Sequence, residues 1–148
     1  MGREVRDLAR ILIADDDEQV LLTLSEAVSS LGHDVETAPD GRVALEMFFR
    51  SDYQLVLTDL AMPEVDGIEV LKRVKAARPH TGVIVVTGHS TMDLLAAAIN
   101  QGVDAYVTKP FKLAEIDLQL KKILGRTRVP VPPAAEPRSW YKRLFSLL

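Results

Sequence analysis

Read along its length, the chain switches five times between a short aliphatic run and a stretch with helical spacing, and few folds accommodate that rhythm. Ile11-Leu12-Ile13-Ala14 is continuously apolar and stops at acidic residues, as a strand buried on both faces does when it reaches a surface. Val20, Leu21, Leu24, Ala27, Val28 and Leu31 then fall on one face of a helix, with Gly32 placed to end it in a left-handed turn. A short strand at about Asp34 to Thr37 and a helix carrying Val43, Ala44, Met47 and Phe48 follow. Leu55-Val56-Leu57-Thr58 repeats the buried-strand pattern and again ends at an acid, Asp59, with Pro63 and Gly67 punctuating the loop beyond. Ile68, Leu71 and Val74 mark a third helix, which Pro79 keeps from running into Val83-Ile84-Val85-Val86, the most apolar strand. Ser90, with Asp93 three residues on, reads as the capping box of a fourth helix closed by Gly102. Ala105-Tyr106-Val107 makes the fifth strand, broken at Lys109-Pro110, and Ile116, Leu120 and Ile123 mark the fifth helix. Parallel strands need crossovers long enough to hold a helix, so the alternation predicts an α/β fold, a doubly wound five-stranded parallel sheet covered on both faces.

A chain of 148 residues has room for one well-buried core and appendages, not for a second enzyme domain of ordinary size. Its 47% hydrophobic and 26% charged residues are the balance of a soluble globular protein. No apolar run approaches the roughly 20 residues that cross a bilayer. Charges in Met1-Gly2-Arg3-Glu4 sit where a signal peptide needs an apolar core, so a cytoplasmic location is expected. The absence of cysteine excludes disulfides, thiolate catalysis and zinc-ribbon ligand sets, and leaves carboxylates with hard cations as the plausible metal chemistry. A net charge of −3 supplies no field to attract nucleic acid, and no direct nucleic acid binding is expected.

In open α/β sheets ligands bind beyond the carboxyl ends of the strands, where the strand order reverses. There the sequence puts its polar side chains: Asp15 and Asp16 after the first strand, Asp59 after the third, Thr87 at the end of the fourth and Lys109 at the end of the fifth. Three carboxylates so close repel one another by an amount on the order of several kcal/mol unless a cation or proton joins them. Mg²⁺ suits them, since it takes hard oxygen ligands and keeps room for waters and phosphate oxygens. A dinucleotide site would instead need a glycine-rich turn after the first strand, and Asp15-Asp16-Asp17 is its electrostatic opposite. With metal present, a carboxylate can attack phosphorus while Lys109 and the Thr87 hydroxyl meet phosphoryl oxygens, with Gly88 leaving space for the incoming group.

These residues resemble a family, the receiver domains of two-component response regulators, over about residues 9–124. Asp59-Leu60-Ala61-Met62-Pro63-Glu64-Val65-Asp66-Gly67 is similar to the family's phosphorylation loop, and Asp15-Asp16, Thr87-Gly88 and Tyr106-Val107-Thr108-Lys109-Pro110-Phe111 match its other signatures in order. The resemblance implies a flavodoxin-like sheet of order 2-1-3-4-5 and a cis bond at Lys109-Pro110. It makes Asp59 the phosphoryl acceptor, with Asp16, Asp59 and the Ala61 carbonyl as Mg²⁺ ligands and Asp15 acting through water. The donor it implies is a phosphohistidine on a sensor histidine kinase or phosphotransfer protein. Thr87 and Tyr106 become switch residues that change the face formed by the fourth helix, fifth strand and fifth helix. Positions two beyond the acceptor and two beyond the threonine, here Ala61 and His89, tune loss of the phosphoryl group in related receivers, and an Ala61→Asn change is expected to speed it. A solvent-exposed loop residue is the plainer reading of His89.

Two other classes compete with a signalling switch. A haloacid-dehalogenase-like phosphohydrolase also uses a strand-end aspartate with Mg²⁺, but wants a second aspartate two residues on, where this chain has Ala61. A pseudo-receiver that only binds partners would not need the acidic pocket, Thr87 and Lys109 together. Outside the domain, 1–8 is expected to be a leader and 125–137 a proline-rich, semi-rigid spacer. Residues 138–148 are expected to form a short amphipathic helix, with Trp140, Tyr141, Leu144, Phe145 and Leu148 at helical spacing. That segment has several open roles: docking on its own domain, homodimer contact, a partner groove, a membrane surface, or a frayed end. The downstream protein partner is not legible.

Overall fold

The computed structural model describes residues 8–127. In chain order the elements are β1 (Arg10–Ala14), α1 (Glu18–Ser30), β2 (Asp34–Ala38), α2 (Gly41–Arg50), β3 (Leu55–Thr58), α3 (Gly67–Ala77), β4 (Gly82–Thr87), α4 (Met92–Asn100), β5 (Ala105–Thr108) and α5 (Leu113–Thr127). Neighbouring strands are all parallel, and the sheet order is β2-β1-β3-β4-β5, as the family resemblance implied. The chain moves outward from β1 to β2 and then back across to β3, so the order reverses between β1 and β3. Register along that seam pairs Ile11 with Leu55 and Ala14 with Thr58, which brings the two following residues, Asp15 and Asp59, to one rim.

Because successive strand residues point to opposite faces, the apolar runs feed two cores. Ile11, Ile13, Leu55, Leu57, Ile84 and Val86 pack against Leu24 and Val28 of α1 and Ile116, Leu120 and Ile123 of α5. Leu12, Ala14, Val56 and Val83 meet Ala44, Leu45 and Phe48 of α2, Val70, Leu71 and Val74 of α3, and Ala98 of α4. A fully buried Leu or Ile of this kind contributes about 1.5–3 kcal/mol relative to an exposed one, so burial on both faces is what holds the rim residues in place.

Helix starts are set by side-chain caps. Asp17 accepts from the Gln19 and Val20 amides at 2.9 and 3.4 Å, Asp40 from Val43 at 2.8 Å and Asp66 from Glu69 at 2.9 Å. For α4 the expected cap, Ser90, is corrected to Thr91, whose hydroxyl accepts from the Leu94 amide at 3.1 Å. Thr91 is the residue with extended backbone, so Asp93 falls in the first turn and closes no box with Ser90. Gly32 and Gly102 take φ of +99° and +85°, the left-handed turns expected after α1 and α4. The Lys109-Pro110 bond is cis.

Helix α5 runs on through Gly125 to Thr127, past the expected domain end at 124. A helix already docked through Ile116, Leu120 and Ile123 tolerates a glycine in its last turns. Residues 1–7 of the expected leader, the rest of the expected spacer and the expected terminal helix lie outside the described residues. Among the described residues no helix is long and apolar enough to cross a membrane.

Candidate functional site

Strand ends and the first turns after them build the site. Asp15 follows β1 with its amide on the Ala38 carbonyl at 3.3 Å, and Asp59 follows β3 with its amide on the Ala14 carbonyl at 3.0 Å. Both side chains are buried, whereas Asp16 faces solvent. Carboxylate oxygens of Asp15, Asp16 and Asp59 nevertheless all lie within 4.8 Å of one another.

Each buried carboxylate is held at both oxygens. Asp15 Oδ1 accepts from the Asp17 amide at 2.8 Å, and Asp59 Oδ1 accepts from the Leu60 amide at 2.7 Å. Their Oδ2 atoms share a single ammonium: Lys109 Nζ lies 2.9 Å from Asp15 and 3.4 Å from Asp59. Burial pushes the Asp15 carboxyl above its ordinary range, and the Lys109 hydrogen bond and Asp17 amide only partly offset this. Burial alone would pull the Lys109 ammonium down, but the Asp15 hydrogen bond and the nearby Asp59 charge outweigh it, and its pKa rises. The two directions agree physically: one cation serves two carboxylates, so the cation is over-stabilised while the more deeply buried acid stays under-compensated.

Thr87 is fully buried at the end of β4, where its hydroxyl oxygen accepts from the His89 amide at 3.0 Å and its carbonyl accepts from the Lys109 amide at 2.9 Å. Tyr106 pairs in register with Val85, packs against the α2–α4 core, and buries a hydroxyl that has no hydrogen-bond partner. Ala61 and His89 are both exposed at the rim, which agrees with the plainer reading of His89 as a loop residue. The structure therefore brings Asp15, Asp16, Asp59 and Lys109 into one cluster, and sets Thr87 against the Lys109 backbone.

Sequence reasoning did not foresee how tightly Gly67 closes the acceptor loop. A Cβ on Gly67 would come within 2.0 Å of the Asp59 carbonyl oxygen, so only glycine lets α3 begin directly behind the acidic strand end. Its amide closes the loop on the Leu60 carbonyl at 2.9 Å. The glycine itself was visible in the motif, but its closeness to Asp59 depends on how helix and strand pack.

The donor set suits a hard divalent cation: carboxylate oxygens converge, and one oxygen pair already attracts an ammonium.

Comparison with known proteins gives the same reading. A model of the response regulator receiver domain matches residues 11–121. The chain is 35% identical over 127 residues to the transcriptional regulatory protein TcrA of Mycobacterium tuberculosis, covering 86% of this chain and 50% of TcrA. It is 37% identical over 115 residues to the regulatory protein AtoC of Escherichia coli, covering 78% of this chain and 25% of AtoC. It thus spans half or less of the length of these curated relatives. Among solved structures, a CheY-like receiver domain protein from Methanospirillum hungatei superimposes with a TM-score of 0.79 at 30% identity, covering 82% of this chain and 97% of that one. A receiver domain protein from Clostridium thermocellum gives 0.78 at 28% identity, covering 82% and 98%. Fold, rim cluster and relatives converge, and the chain belongs to the response regulator receiver domains of two-component signalling.

Proposed function

We propose that Asp59 is the phosphoryl acceptor of this domain, and that Asp15, Asp16, Asp59 and the Ala61 carbonyl hold Mg²⁺ beside it. The observation that carries this reading is the convergence of three carboxylates, two of them buried and sharing one ammonium, an arrangement that is costly and is relieved by a divalent ion. When bound, the ion supplies charge neutralisation for phosphoryl oxygens. Asp59 acts as nucleophile: a carboxylate oxygen forms the bond to phosphorus, while the phosphorus–nitrogen bond of a phosphohistidine breaks and its electron pair leaves with the imidazole. Lys109, already within reach of Asp59, meets one phosphoryl oxygen, and the Thr87 hydroxyl, whose oxygen accepts from the His89 amide, donates its proton to another. Tyr106, with a buried hydroxyl that lacks a partner, is the element whose packing follows Thr87, so the α4–β5–α5 face changes on phosphorylation.

The donor in this reading is a sensor histidine kinase or a phosphotransfer protein, the setting is cytoplasmic, and the output is a protein contact. A signalling module fits better than a hydrolase, because Ala61 cannot serve as the acid for a leaving group. Intact-mass spectrometry after incubation with Mg²⁺ and a small phosphodonor tests the proposal. One labile phosphoryl on the wild type and none on Asp59→Asn, a loss of at least about a thousandfold in labelling rate, is expected. Equal labelling of both chains would remove Asp59 as acceptor, and steady turnover of the donor would favour the hydrolase.

A further inference from the structure

Gly41, the first residue of α2, is buried although it belongs to none of the motifs on the acidic rim. A Cβ built there would meet the Val65 carbonyl oxygen at 2.1 Å, the Val65 carbonyl carbon at 3.0 Å and the Val65 Cβ at 3.1 Å. The obstacle is largely backbone, which cannot swing aside as the end of a flexible side chain can. Val65 belongs to the loop from Leu60 to Asp66 that carries Ala61. That loop has little slack. Gly67 closes its two ends through the 2.9 Å bond to the Leu60 carbonyl, and Gly67 itself lies against the Asp59 carbonyl. Inside it, the Val65 amide donates to the Pro63 carbonyl at 2.7 Å, and Glu64 is held at φ +66°. A side chain at Gly41 would therefore push Val65, and with both ends pinned the displacement has to pass into Ala61–Pro63.

We infer that Gly41 is a positioning residue: it lets the start of α2 act as a backstop for Val65 and so sets where the Ala61 carbonyl stands relative to Asp59. The inference rests on the proposed role of Asp59 and Ala61. It extends the acceptor site to an element that supplies no side chain to the acidic cluster. Asp40 strengthens the backstop, because its carboxylate caps the Val43 amide at 2.8 Å and keeps the first turn of α2 from unwinding to make room.

The test uses the full chain in wild-type form, as Gly41→Ala, and as Gly125→Ala, a control whose Cβ meets nothing within 4 Å. Magnesium affinity is measured by calorimetric titration, phosphorylation by a small donor across magnesium concentrations, and stability by urea unfolding. Gly41→Ala is expected to weaken magnesium binding by about tenfold, with the phosphorylation rate recovering at saturating magnesium and Gly125→Ala unchanged in both readouts. Should Gly41→Ala not fold, Asp40→Ala takes away the cap that holds the first turn of α2 against Val65, and a weakening in the same direction is expected in it. Wild-type magnesium affinity in a folded Gly41→Ala, or in Asp40→Ala where that variant is needed, overturns the inference while leaving Asp59 as acceptor. A wild type that binds no magnesium overturns the reading of the site itself, and this inference with it.

Discussion

The two rims of the sheet are built from the same residue types and reach opposite electrostatic outcomes. At the rim where the strands begin, charges are matched. Arg10 meets Glu36 at 3.0 Å and lies 5.2 Å from the Tyr53 ring, while the Tyr53 hydroxyl donates to the other Glu36 oxygen. Lys75 Nζ meets Asp104 at 2.7 Å and the Thr81 carbonyl at 2.7 Å, and Asp104 also accepts from the Val83 amide. Arg78 ties the end of α3 to the Phe48 and Ser51 carbonyls at 2.8 and 2.9 Å, with its guanidinium 4.3 Å from the Phe48 ring. At the rim where the strands end, one lysine reaches two of three clustered acids. The first rim uses its charges for stability, and the second keeps a deficit of positive charge that a divalent cation can fill.

Breaking the matched rim should have the largest effect. Lys75→Met takes the ammonium away from a carboxylate that is 17% exposed, and is expected to lower stability by about 3 kcal/mol in urea unfolding while leaving magnesium affinity untouched. If magnesium affinity fell with it, the two rims would not be separable.

Nearly as large is an alkaline effect at Tyr53, whose pKa is pushed up to about 12, first by burial and then by Glu36. The unfolded chain ionises this phenol near its ordinary value of 10.0 and the folded chain only near 12, so the folded state holds its proton longer. Stability is complete below pH 10 and is lost as pH rises to 12, by about 2–3 kcal/mol that Tyr53→Phe should not lose. Parallel pH profiles of the two proteins would refute this burial effect.

The corresponding change at the acidic rim should be smaller and reversible. Lys109→Met is expected to cost about 1–2 kcal/mol without metal, since Asp15 can take up a proton, and saturating magnesium should restore the loss. No such rescue is expected for Lys75→Met, and rescue of both would erase the distinction. Smallest of all, Tyr106→Phe removes a buried hydroxyl that has no partner and should stabilise the resting domain by about 1 kcal/mol in thermal or urea unfolding. A loss of stability instead would show that the hydroxyl is satisfied.

Much of the acidic rim was legible in the primary structure because the relevant signals are local. Asp15 and Asp59 each end an aliphatic run, and a parallel sheet gathers such ends on one side whatever the details of packing. Helix faces were read well where the period was clean, as in Ile116, Leu120 and Ile123, but Leu45 and Val70 are also buried and escaped the reading. Ser90 was mistaken for Thr91 because adjacent hydroxyl residues offer the same cap chemistry, and only the backbone angles say which one precedes the first turn.

By itself, then, the order of residues determined the alternation of strand and helix, the rim on which the acids fall and the family to which the domain belongs, since periodicity and strand-end chemistry act over a few neighbouring residues. Tertiary structure alone decided which acid Lys109 sits nearest, the pairing of Lys75 with Asp104 across 29 positions and the contact of Gly41 with Val65. Those depend on the distances at which helices pack against the sheet, and packing is a property of the whole core that no short stretch of sequence encodes.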